Sequence, residues 1–489
     1  MTARVSFRII LIVPLLLFAA APLLAQTSRP AEGVEAGSTM PAGQWGPVFP
    51  WPVVAIHTHV LPDGRVASWE RKDSVLTTET WLWNPKAPAN FTKVMNPYAS
   101  VFCSGHTYLP NGRLLVAGGH HFDDGDGEKT VTFFNGTAWT KGPDMNGGRW
   151  YPTTLALRNG DVVVVGGSQA GQQEAVPNPL PQVWQTATST WRNLTGAIRS
   201  VPLYPLLLLA PDGRVAMVGP NPETAFLNTA GAGSWAPGPL ASGGFRDYGS
   251  AVEYEPGKIL LVGGGAPTAT AEILDLNVAS PKWVPTGSMK FARRQLNATI
   301  LPDGRVLVTG GSSAPGFNNA DGAVLESEIW NPATGKWTTM AAQRQRRLYH
   351  STAVLLPDGR VLSAGGGMPP SPQGGDADHR NAQIYSPPYL FRGARPIIAS
   401  APASVTFGQT FTIQTPNASS IRWVTLVRLS SVTHAFNQSQ RFNRLTPTLG
   451  IRDVTVKAPA RAACPPGPYL LFLLNNLGVP SEGKVIFIK

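Results

Sequence analysis

The stretch "LPDGRVLVTGG", Leu301–Gly311, carries three signals that together decide the fold. Its Asp303-Gly304 pair is expected to supply the positive-φ residues of a tight hairpin turn. The valine-rich run that follows is typical of a buried β-strand. The closing Gly-Gly pair indicates a position where neighbouring backbones approach closely. The stretch therefore predicts a β-hairpin whose second strand ends in a crowded interior.

Seven copies of this pattern follow one another along the chain. Their turn glycines are Gly64, Gly112, Gly160, Gly213, Gly257, Gly304 and Gly359. Successive turn glycines are 44 to 55 residues apart, and several copies continue into a further strand with a tryptophan, as in "SEIWNPATGKW" (Ser327–Trp337). A period of about 50 with four short strands per unit is typical of kelch-type β-propellers, so we predict an all-β fold with a seven-bladed propeller. A solenoid of stacked coils is the alternative for such repeats.

Changes in the pattern mark the domain boundaries. Residues 43–396 contain the seven repeats and are predicted to form the propeller. The preceding residues 26–42 are small and polar, and we expect a flexible segment there. Residues 397–489 contain alternating strands without the Gly-Gly ending. This pattern favours a C-terminal immunoglobulin-like β-sandwich.

The first 25 residues are typical of a secretory signal peptide. Arg4 and Arg8 precede an apolar run, Ile9–Leu24, which is shorter than the ~18–20 residues of a membrane span. A retained membrane anchor is the alternative. We expect a secreted protein, extracellular or periplasmic, with no transmembrane segment once residues 1–25 are removed.

Composition and charge favour a turn-rich β protein and argue against a nucleic-acid partner. The 51 glycines, 46 prolines and only 14% charged residues favour a turn-rich β protein over a helical one. The net charge of +11 falls to +9 without the two arginines of residues 1–25, and the remaining basic residues form no block. We therefore expect no nucleic-acid partner. A chain of this length with only two cysteines must be stabilised by its hydrophobic core, and we expect it to act as a monomer.

The residues just before several repeats include side chains that could bind a metal or take part in catalysis. Loops that enter the inner strands of a propeller meet at one end of its channel, although they are far apart in the sequence. Cys103 lies in "FCSGHTY" before the second repeat, and Tyr151 lies in "GGRWYPTTLAL" before the third. Tyr349 and His350 lie in "RRLYHSTAVLL" before the seventh, and His434 lies in "VTHAFNQSQRF" of the C-terminal region. Two imidazoles with phenolate oxygens suit a tetragonal Cu(II) site, whereas two tyrosines would be unusual for zinc.

These pieces, together with "WGPVFPWPVVAIHTHVLPDG" near the start of the propeller, resemble the galactose oxidase/glyoxal oxidase family of copper radical oxidases. The resemblance spans nearly the whole chain after residue 25. It implies one Cu(II) per chain, held by four metal ligands: Tyr151, Tyr349, His350 and His434. It also implies a thioether bond from Cys103 to the ring of Tyr151, which would carry a radical. Tyr349 would be the base that accepts the substrate's hydroxyl proton.

The reaction implied by the resemblance is the oxidation of primary alcohols, or of small aldehydes as hydrates, by O2 with release of H2O2. Three departures from galactose oxidase favour a glyoxal-oxidase-like preference for small aldehydes or simple alcohols over galactose. Gln169 stands where that enzyme has a tryptophan over the thioether, so another aromatic residue covers the radical or the radical is less protected. Pro205 and Leu206 stand near the position of a sugar-binding arginine. The stretch "GGGAPTATAE" lacks a Tyr-Gln pair.

The same residues allow other interpretations. Cys103 could form a disulfide with Cys464, as thiols of secreted proteins usually do, and the site tyrosines and histidines could be ordinary interior residues. A further set of histidines could bind zinc, although it lacks a standard ligand spacing: His57, His59, His106, His120 and His121. Among these, His106 is expected to tune the pocket near Cys103. A non-enzymatic kelch propeller that binds carbohydrate or acts as a scaffold is the competing functional class.

Overall fold

Each repeat forms a hairpin around its turn glycine, although the turn differs from the expected one. In the first repeat, the N–H of Gly64 (φ 85°) donates to the Leu61 carbonyl at 2.9 Å, and the N–H of Leu61 donates to the Arg65 carbonyl at 2.8 Å. Pro62 and Asp63 form a type I turn that the left-handed glycine closes, so the expectation of a positive φ at the aspartate is wrong. The Asp63 carboxylate instead accepts the N–H of Arg65 at 3.0 Å.

The computed structural model describes residues 42–489, except residues 73–75, 123, 171–174 and 369–374. The predicted signal segment 1–25 lies outside the described residues, as does the predicted flexible segment apart from residue 42. The described part is all-β, as predicted, and contains no α-helix. Its three short 3-10 turns are Ala320–Gly322, Pro388–Phe391 and Ala418–Ser420. No helix within these residues has the length and hydrophobicity needed to cross a bilayer.

The first three repeats form antiparallel sheets of consecutive strands. The strands before and within the first repeat are β1 (Gln44–Trp45), β2 (Phe49–Pro50), β3 (His57–Val60), β4 (Val66–Trp69), β5 (Thr78–Trp83) and β6 (Phe91–Asn96). Those of the second repeat are β7 (Gly105–Tyr108), β8 (Leu114–Ala117), β9 (Val131–Phe134) and β10 (Trp139–Lys141). Those of the third repeat are β11 (Trp150–Ala156), β12 (Val162–Ala170), β13 (Val176–Pro177), β14 (Gln182–Gln185) and β15 (Thr190–Asn193).

The fourth to seventh repeats follow the same plan. The strands of the fourth and fifth are β16 (Leu207–Leu209), β17 (Val215–Met217), β18 (Glu223–Asn228), β19 (Ser234–Leu240), β20 (Ser250–Glu255), β21 (Lys258–Val262), β22 (Ala271–Asp275) and β23 (Trp283–Pro285). Those of the sixth and seventh are β24 (Asn297–Ile300), β25 (Val306–Thr309), β26 (Glu326–Asn331), β27 (Lys336–Ala342), β28 (Ser351–Leu355), β29 (Val361–Gly365) and β30 (Asn381–Ser386). The seventh sheet is completed by β1 and β2, which both pair with β30.

The first strands of these sheets contact one another in chain order. β7 contacts β11, β11 contacts β16, β20 contacts β24, and β24 contacts β28. Leu208 of β16 and Ala251 of β20 share a hydrophobic cluster. The hydroxyl of Tyr108 in β7 donates to the Val60 carbonyl of β3 at 2.5 Å. β28 also contacts β3, so the seventh sheet meets the first. The first strands of the seven sheets are called the inner strands below, and the space that they border is called the common interior.

The C-terminal region forms two sheets around one hydrophobic cluster. Its strands are β31 (Ser404–Val405), β32 (Thr410–Gln414), β33 (Ile421–Arg428), β34 (Ser431–Thr433), β35 (Phe436–Asn437), β36 (Phe442–Leu445), β37 (Thr448–Leu449), β38 (Asp453–Lys457), β39 (Gly467–Asn475) and β40 (Lys484–Ile488). One sheet has the order β31-β40-β39-β33-β36, and the other has the order β32-β38-β37. The buried residues Ile413 and Val454 of the smaller sheet belong to the same cluster as Leu471 of the larger one.

Two strands of this region join the sheet of the first repeat instead. β34 pairs antiparallel with β3, and β35 pairs with β34. The polar side chains that follow are buried and bind backbone groups of the inner strands. Gln438 Oε1 accepts the N–H of Thr154 at 3.1 Å, and Gln440 Oε1 accepts the N–H of Ile300 at 2.6 Å. The C-terminal region therefore enters the common interior and satisfies peptide groups there.

The Gly-Gly pairs lie where backbones approach closely, as predicted. A Cβ at Gly118 would lie 2.3 Å from the Arg149 carbonyl oxygen, and a Cβ at Gly119 would lie 2.1 Å from the Ser100 carbonyl oxygen. In four repeats a buried arginine also donates to the carbonyl of the first glycine of the pair: Arg149 to Gly166, Arg246 to Gly263, Arg293 to Gly310 and Arg347 to Gly365. The glycines thus make room for the loops that enter the inner strands.

Gly118→Ala should destabilise the protein far more than Gly244→Ala. Both glycines have a left-handed φ, 78° and 70°, but a Cβ at Gly244 would meet nothing within 4 Å. The Gly244 variant therefore isolates the cost of the left-handed backbone, about 1–2 kcal/mol. The Gly118 variant adds the clash, and we expect it to lose more than roughly 3 kcal/mol of unfolding free energy. Denaturant melts measure both losses, and equal losses would contradict the packing role of the pair.

Candidate metal centre

The candidate site is built from residues with left-handed backbones at the entrances of the inner strands. Six non-glycine residues there have φ between 44° and 66°: Cys103, Tyr151, Tyr204, Tyr248, Gln295 and His350. Each is the ninth residue before the turn glycine of its repeat, in repeats two to seven. This conformation costs a non-glycine residue about 1–3 kcal/mol, and such strain clusters at functional sites.

Backbone hydrogen bonds join several of these residues from one repeat to the next. The N–H of Tyr151 donates to the Cys103 carbonyl at 2.9 Å, and the N–H of Tyr204 donates to the Tyr151 carbonyl at 2.8 Å. The N–H of Gln295 likewise donates to the Tyr248 carbonyl at 2.8 Å. The left-handed backbone therefore directs these peptide groups toward the neighbouring sheet. The side chains of the three tyrosines line one cavity.

The seventh repeat presents two side chains instead of one. In the third repeat, the buried arginine and the glycine carbonyl that it contacts are 17 residues apart, whereas Arg347 and Gly365 of the seventh are 18 apart. The seventh repeat thus carries one additional residue before its turn. As a result, Tyr349 and His350 both reach the interior, with their ring centroids 3.7 Å apart and their planes at 29°.

His434 lies at the tip of a tight turn of the C-terminal region. Thr433 of β34 pairs with Phe436 of β35, which leaves His434 and Ala435 as a two-residue loop with φ of 46° and 70°. Two left-handed residues in such a loop define a type I′ turn, which normally uses Asn-Gly. The pairing of β34 with the inner strand β3 holds this unfavourable His-Ala turn in place.

The structure brings the five site residues of the sequence prediction together. The hydroxyls of Tyr151 and Tyr349 share a hydrogen bond. The ring centroid of His434 lies 4.5 Å from that of Tyr151 and 4.8 Å from that of His350. Sγ of Cys103 lies 3.9 Å from Nε2 of His434. None of the five residues is more than 6% exposed, so the group is shielded from water.

Both imidazoles of the group present an Nε2 lone pair. Nδ1 of His350 lies 3.1 Å from the Gly367 carbonyl oxygen, which can only accept, so Nδ1 carries the proton. The Thr433 hydroxyl donates to the Ile56 carbonyl at 3.0 Å and therefore accepts from Nδ1 of His434 at 2.6 Å. Nε2 of His350 is buried and has no hydrogen-bond partner among the described residues. This arrangement is typical of metal-binding histidines.

Burial fixes the charge of the group. It lowers the pKa of His350 to about 3 and the pKa of His434 well below its usual value, so both imidazoles are neutral. It raises the pKa of Tyr151 and of Tyr349 well above the ordinary range. A phenolate in this place therefore needs a nearby cation. Two neutral nitrogens and two phenol oxygens fit a Cu(II) ion.

Two aromatic residues, rather than Gln169, cover the ring of Tyr151. The ring of Trp150 stacks on it with centroids 3.8 Å apart, and the ring of Tyr204 stacks on it at 4.5 Å. The side chain of Gln169 instead donates to the Pro177 carbonyl at 3.2 Å. Of the two expectations for this position, the structure favours the replacement of the tryptophan by other aromatic side chains.

Sequence reasoning did not single out Tyr204 or Tyr248. The hydroxyl of Tyr204 donates to the Ser104 carbonyl at 3.0 Å, which holds its ring against Tyr151. The ring of Tyr248 lies edge-on to that of Tyr349, with centroids 5.6 Å apart. The nine-residue distance to the turn glycine would have identified both residues, because most of the predicted site residues share that distance.

Two alternative interpretations find no support in the described residues. Cys103 and Cys464 are not joined in a disulfide, and they lie in different hydrophobic clusters. No group of three or more His, Cys, Asp or Glu side chains in the described part is placed to hold a metal ion, which argues against the zinc interpretation. His57, His59 and His106 form buried hydrogen bonds instead.

A cavity of about 530 Å³ leads to Tyr151, Tyr349 and His434. The rest of its lining is mostly aromatic and aliphatic, with Phe102, Trp150, Leu203, Tyr204, Phe245 and Phe317 among the side chains. Four charged side chains also line the cavity, and each has an ionic partner: Arg71 lies 3.0 Å from Asp124, Arg246 lies 3.5 Å from Glu272, and Asp247 binds Arg294. The cavity is therefore suited to a small, largely apolar molecule that reaches the two phenols.

Known proteins resemble the chain in both sequence and structure. The family profile described as Glyoxal oxidase N-terminus matches residues 72–253 and 265–372, and the profile described as Galactose oxidase-like, Early set domain, matches residues 395–488. Galactose oxidase of Gibberella zeae is 30% identical over 91% of this chain and 70% of that protein. Aldehyde oxidase GLOX of Vitis pseudoreticulata is 30% identical over 87% of this chain and 89% of that protein. A fungal alcohol oxidase solved in complex with copper has a TM-score of 0.83 and 27% identity, and the match covers 92% of this chain and 100% of that one.

The fold and the site, together with these relatives, define a copper oxidoreductase. A non-enzymatic binding or scaffold propeller is correspondingly disfavoured. The chain belongs to the galactose oxidase/glyoxal oxidase family of copper radical oxidases.

His350→Ala should weaken copper binding, whereas His121→Ala should leave it unchanged. His121 is partly exposed and hydrogen-bonds Asp126 at 3.1 Å, outside the site. We expect the His350 variant to bind copper at least about tenfold more weakly, because even groups that only orient a ligand contribute that much. Equilibrium dialysis with metal analysis measures both affinities. A His350 variant that keeps the wild-type affinity would exclude this imidazole as a ligand.

The metal-free protein should lose stability as the pH falls below about 6.5. Burial lowers the pKa of His106 and of His350 to about 3, whereas the unfolded chain takes up these protons near the ordinary pKa of 6.5. Between these values the unfolded state binds more protons, so the stability present above pH 6.5 falls by up to about 1.4 kcal/mol per pH unit for each histidine. Denaturant midpoints at pH 7.5 and 5.5 test this, and equal midpoints would contradict neutral burial.

Proposed function

We propose that the chain is a secreted, monomeric copper radical oxidase that uses O2 to oxidise primary alcohols or hydrated small aldehydes and releases H2O2. The main observation behind the proposal is that one thiol, two phenols and two imidazoles lie close together beside one cavity. These groups belong to Cys103, Tyr151, Tyr349, His350 and His434. One chain supplies all five, so the site needs no second copy.

The proposal includes a seven-bladed kelch-type propeller over residues 43–396 and an immunoglobulin-like sandwich over residues 397–489. Seven sheets built from the repeats support the propeller, as do their first strands, which contact in chain order and bring β28 against β3. A five-stranded and a three-stranded sheet around one hydrophobic cluster support the sandwich. The signal-like composition of residues 1–25 supports secretion.

The proposed ligands of Cu(II) are Tyr151, Tyr349, His350 and His434. When bound, copper supplies an electron acceptor and the positive charge that the two phenolates need. Cys103 is proposed to form a thioether with the ring of Tyr151, which makes a radical cofactor from the protein itself. Two observations support this bond: both residues belong to one hydrophobic cluster, and the N–H of Tyr151 binds the Cys103 carbonyl.

Two tyrosines carry out the proton transfer and the hydrogen-atom transfer of the proposed reaction. Tyr349 accepts the hydroxyl proton of the substrate, because its oxygen lies beside that of Tyr151 at the cavity. Tyr151, as a radical, takes a hydrogen atom from the adjacent carbon, while Trp150 and Tyr204 cover its ring. In all, the substrate loses two electrons and two protons and becomes an aldehyde, or an acid if it is a hydrated aldehyde. O2 takes up two electrons and two protons and leaves as H2O2.

The lining of the cavity supports simple alcohols and aldehydes over a sugar. Aromatic and aliphatic side chains offer few hydrogen bonds to sugar hydroxyls, and Arg71 in the wall is already engaged with Asp124. Leu206, near the position of the expected sugar-binding arginine, lines the cavity itself. The charged side chains Arg246 and Asp247 in the wall are likewise engaged, with Glu272 and Arg294. Few polar groups are therefore left to recognise sugar hydroxyls, and such a site discriminates only weakly in favour of a sugar.

Cys103→Ser and Tyr151→Phe should abolish H2O2 release from the copper-loaded protein without unfolding it. We expect each to lower kcat by at least about a thousandfold, because both remove the radical cofactor. The wild-type intact mass should fall short of the calculated value by two hydrogens, and the Cys103 variant should show no deficit. Cys464→Ser is the control, because its thiol lies in another cluster and should leave the rate unchanged. Wild-type rates in either site variant would reject the radical mechanism.

Benzyl alcohol and methylglyoxal should be better substrates than galactose, with kcat/KM higher by at least about tenfold. Phe317→Ala should raise the KM for benzyl alcohol about fivefold to tenfold, because the variant loses one aromatic contact with the substrate. The ring of Phe317 lies 4.4 Å from that of Tyr349 and is 47% exposed. Phe391→Ala is the matched control, because Phe391 is 46% exposed and lies outside the cavity lining. Steady-state H2O2 assays of the wild type with benzyl alcohol, methylglyoxal and galactose test the substrate preference, and a higher kcat/KM for galactose would contradict it. The same assay with benzyl alcohol gives the KM of the two phenylalanine variants.

A further inference from the structure

Three buried histidines and a serine form a hydrogen-bonded network that ends on Cys103. The N–H of Cys103 donates to Nε2 of His57 at 2.9 Å. Nδ1 of His57 lies 3.0 Å from Nε2 of His106, and Nδ1 of His106 lies 2.6 Å from Oγ of Ser431. Nδ1 of His59 lies 3.1 Å from the same hydroxyl oxygen. All five residues are fully buried, so water does not compete for these bonds.

The partners fix the direction of each hydrogen bond. A backbone N–H can only donate, so Nε2 of His57 accepts, and the proton of this neutral ring lies on Nδ1. That proton is donated to Nε2 of His106, whose own proton on Nδ1 is donated to Ser431. The Ser431 hydroxyl donates to the His106 carbonyl at 3.0 Å, so it also accepts from His59. Each ring nitrogen of His57 and His106 is therefore assigned as either a hydrogen-bond donor (Nδ1) or an acceptor (Nε2).

Trp69 holds the imidazoles of the network in place. His57 and His59 alternate along β3 and lie on the same face of its sheet. Their rings stack on Trp69 with centroids 5.2 Å and 4.4 Å away. His106 lies edge-on to all three rings. The indole N–H of Trp69 donates to the Val101 carbonyl at 3.1 Å, which anchors the stack to the segment leading into the second repeat.

We propose that His57 is a positioning residue for the thioether between Cys103 and Tyr151. With φ of 60°, Cys103 cannot place its N–H in the ladder of its own sheet, and the imidazole of His57 supplies the acceptor that this conformation needs. The bond therefore fixes the peptide from which the thiol projects. Through Ser431, the same network also reaches the turn that carries His434. This inference rests on the proposed function, because it concerns the formation of the proposed cofactor.

Formation of the thioether is a two-electron oxidation. The S–H bond of Cys103 and one ring C–H bond of Tyr151 break, a C–S bond forms, and two protons and two electrons leave. O2 takes up both electrons and both protons and becomes H2O2. His57 exchanges neither protons nor electrons in this step. It raises the fraction of molecules whose sulfur lies near the ring, and misplacement by about 1 Å is enough to slow such steps strongly.

Paired variants separate the two hydrogen bonds of His57. His57→Gln keeps an acceptor near the Nε2 position and so keeps the bond to Cys103. His57→Asn keeps a donor near the Nδ1 position, and so the bond to His106, but it loses the bond to Cys103. His59→Asn is the matched control, because it removes an equal ring from the same strand and the same stack on Trp69 without touching Cys103.

The experiment follows formation of the thioether rather than turnover. Copper-free protein is mixed with Cu(II) in air, and the loss of two hydrogens is followed by intact mass against time, with copper content and Tm measured alongside. We expect His57→Asn to slow this loss by at least about tenfold. We expect His57→Gln and His59→Asn to react close to the wild-type rate. All variants should bind one copper ion, because none of them removes a proposed ligand.

Each other outcome is decisive. A wild-type rate in His57→Asn, a slow rate in His57→Gln or an equally slow rate in His59→Asn overturns the inference and leaves the proposed function standing. If His57→Asn fails to fold, His57→Gln and His57→Met decide, because their side chains are similar in size and the glutamine oxygen is a much stronger hydrogen-bond acceptor than the methionine sulfur. Equal rates in that pair overturn the inference. If the wild type never loses two hydrogens, the proposed thioether is wrong and the inference falls with it.

Discussion

The site depends on one backbone constraint, the left-handed conformation of one residue at the entrance of an inner strand. An extended residue would continue the strand and place its side chain on one face of the sheet. A left-handed residue interrupts the strand and directs its peptide toward the neighbouring sheet, as the bond from the N–H of Tyr151 to the Cys103 carbonyl shows. Because the constraint recurs at the same distance from the turn glycine in repeats two to seven, residues as far apart as Cys103 and His350 converge. The strain is about 1–3 kcal/mol per residue, and the hydrogen bonds between repeats offset it.

The C-terminal region stabilises the interior that it enters, and it carries a site residue there at the same time. The inner strands present peptide groups to the common interior, and buried peptide groups require partners. Gln438 and Gln440 provide such partners, and Arg441 forms a buried ion pair with Glu253. The same segment holds the strained turn that bears His434. Stability of the interior and assembly of the site therefore depend on one stretch of chain.

Much of this architecture was predictable because it rests on local chemistry. The turn glycines and the Gly-Gly pairs have geometric reasons that are visible in the sequence, and both occur where expected. The type of turn was not predictable from the Asp-Gly pair alone, because a left-handed glycine can either lie within a type I′ turn or close a type I turn. The third repeat, "LRNGD", makes the same turn hydrogen bonds as "LPDGR" of the first without a proline. The turn at His434 and Ala435 carries no sequence signal, because neither residue favours a left-handed backbone. Tyr204 and Tyr248 could have been found from their nine-residue distance to the turn glycine. That distance is informative only once the structure shows that the residue at this position has a left-handed backbone.

Charge balance explains why phenols suit this buried site. Without a metal, both imidazoles are neutral, and burial keeps Tyr151 and Tyr349 protonated, so the group adds no net charge to the interior. In the proposed site, two phenolates would offset the two positive charges of Cu(II), and the balance would again be zero. A carboxyl group, with an ordinary pKa of about 4, would need a much larger rise in pKa than a phenol to stay neutral near pH 7 without a metal. A buried carboxylate that stayed ionised and unpaired would be costly. In the proposed site the phenols would ionise only when the cation binds, so the interior would stay neutral in the metal-free state and in the Cu(II)-bound state.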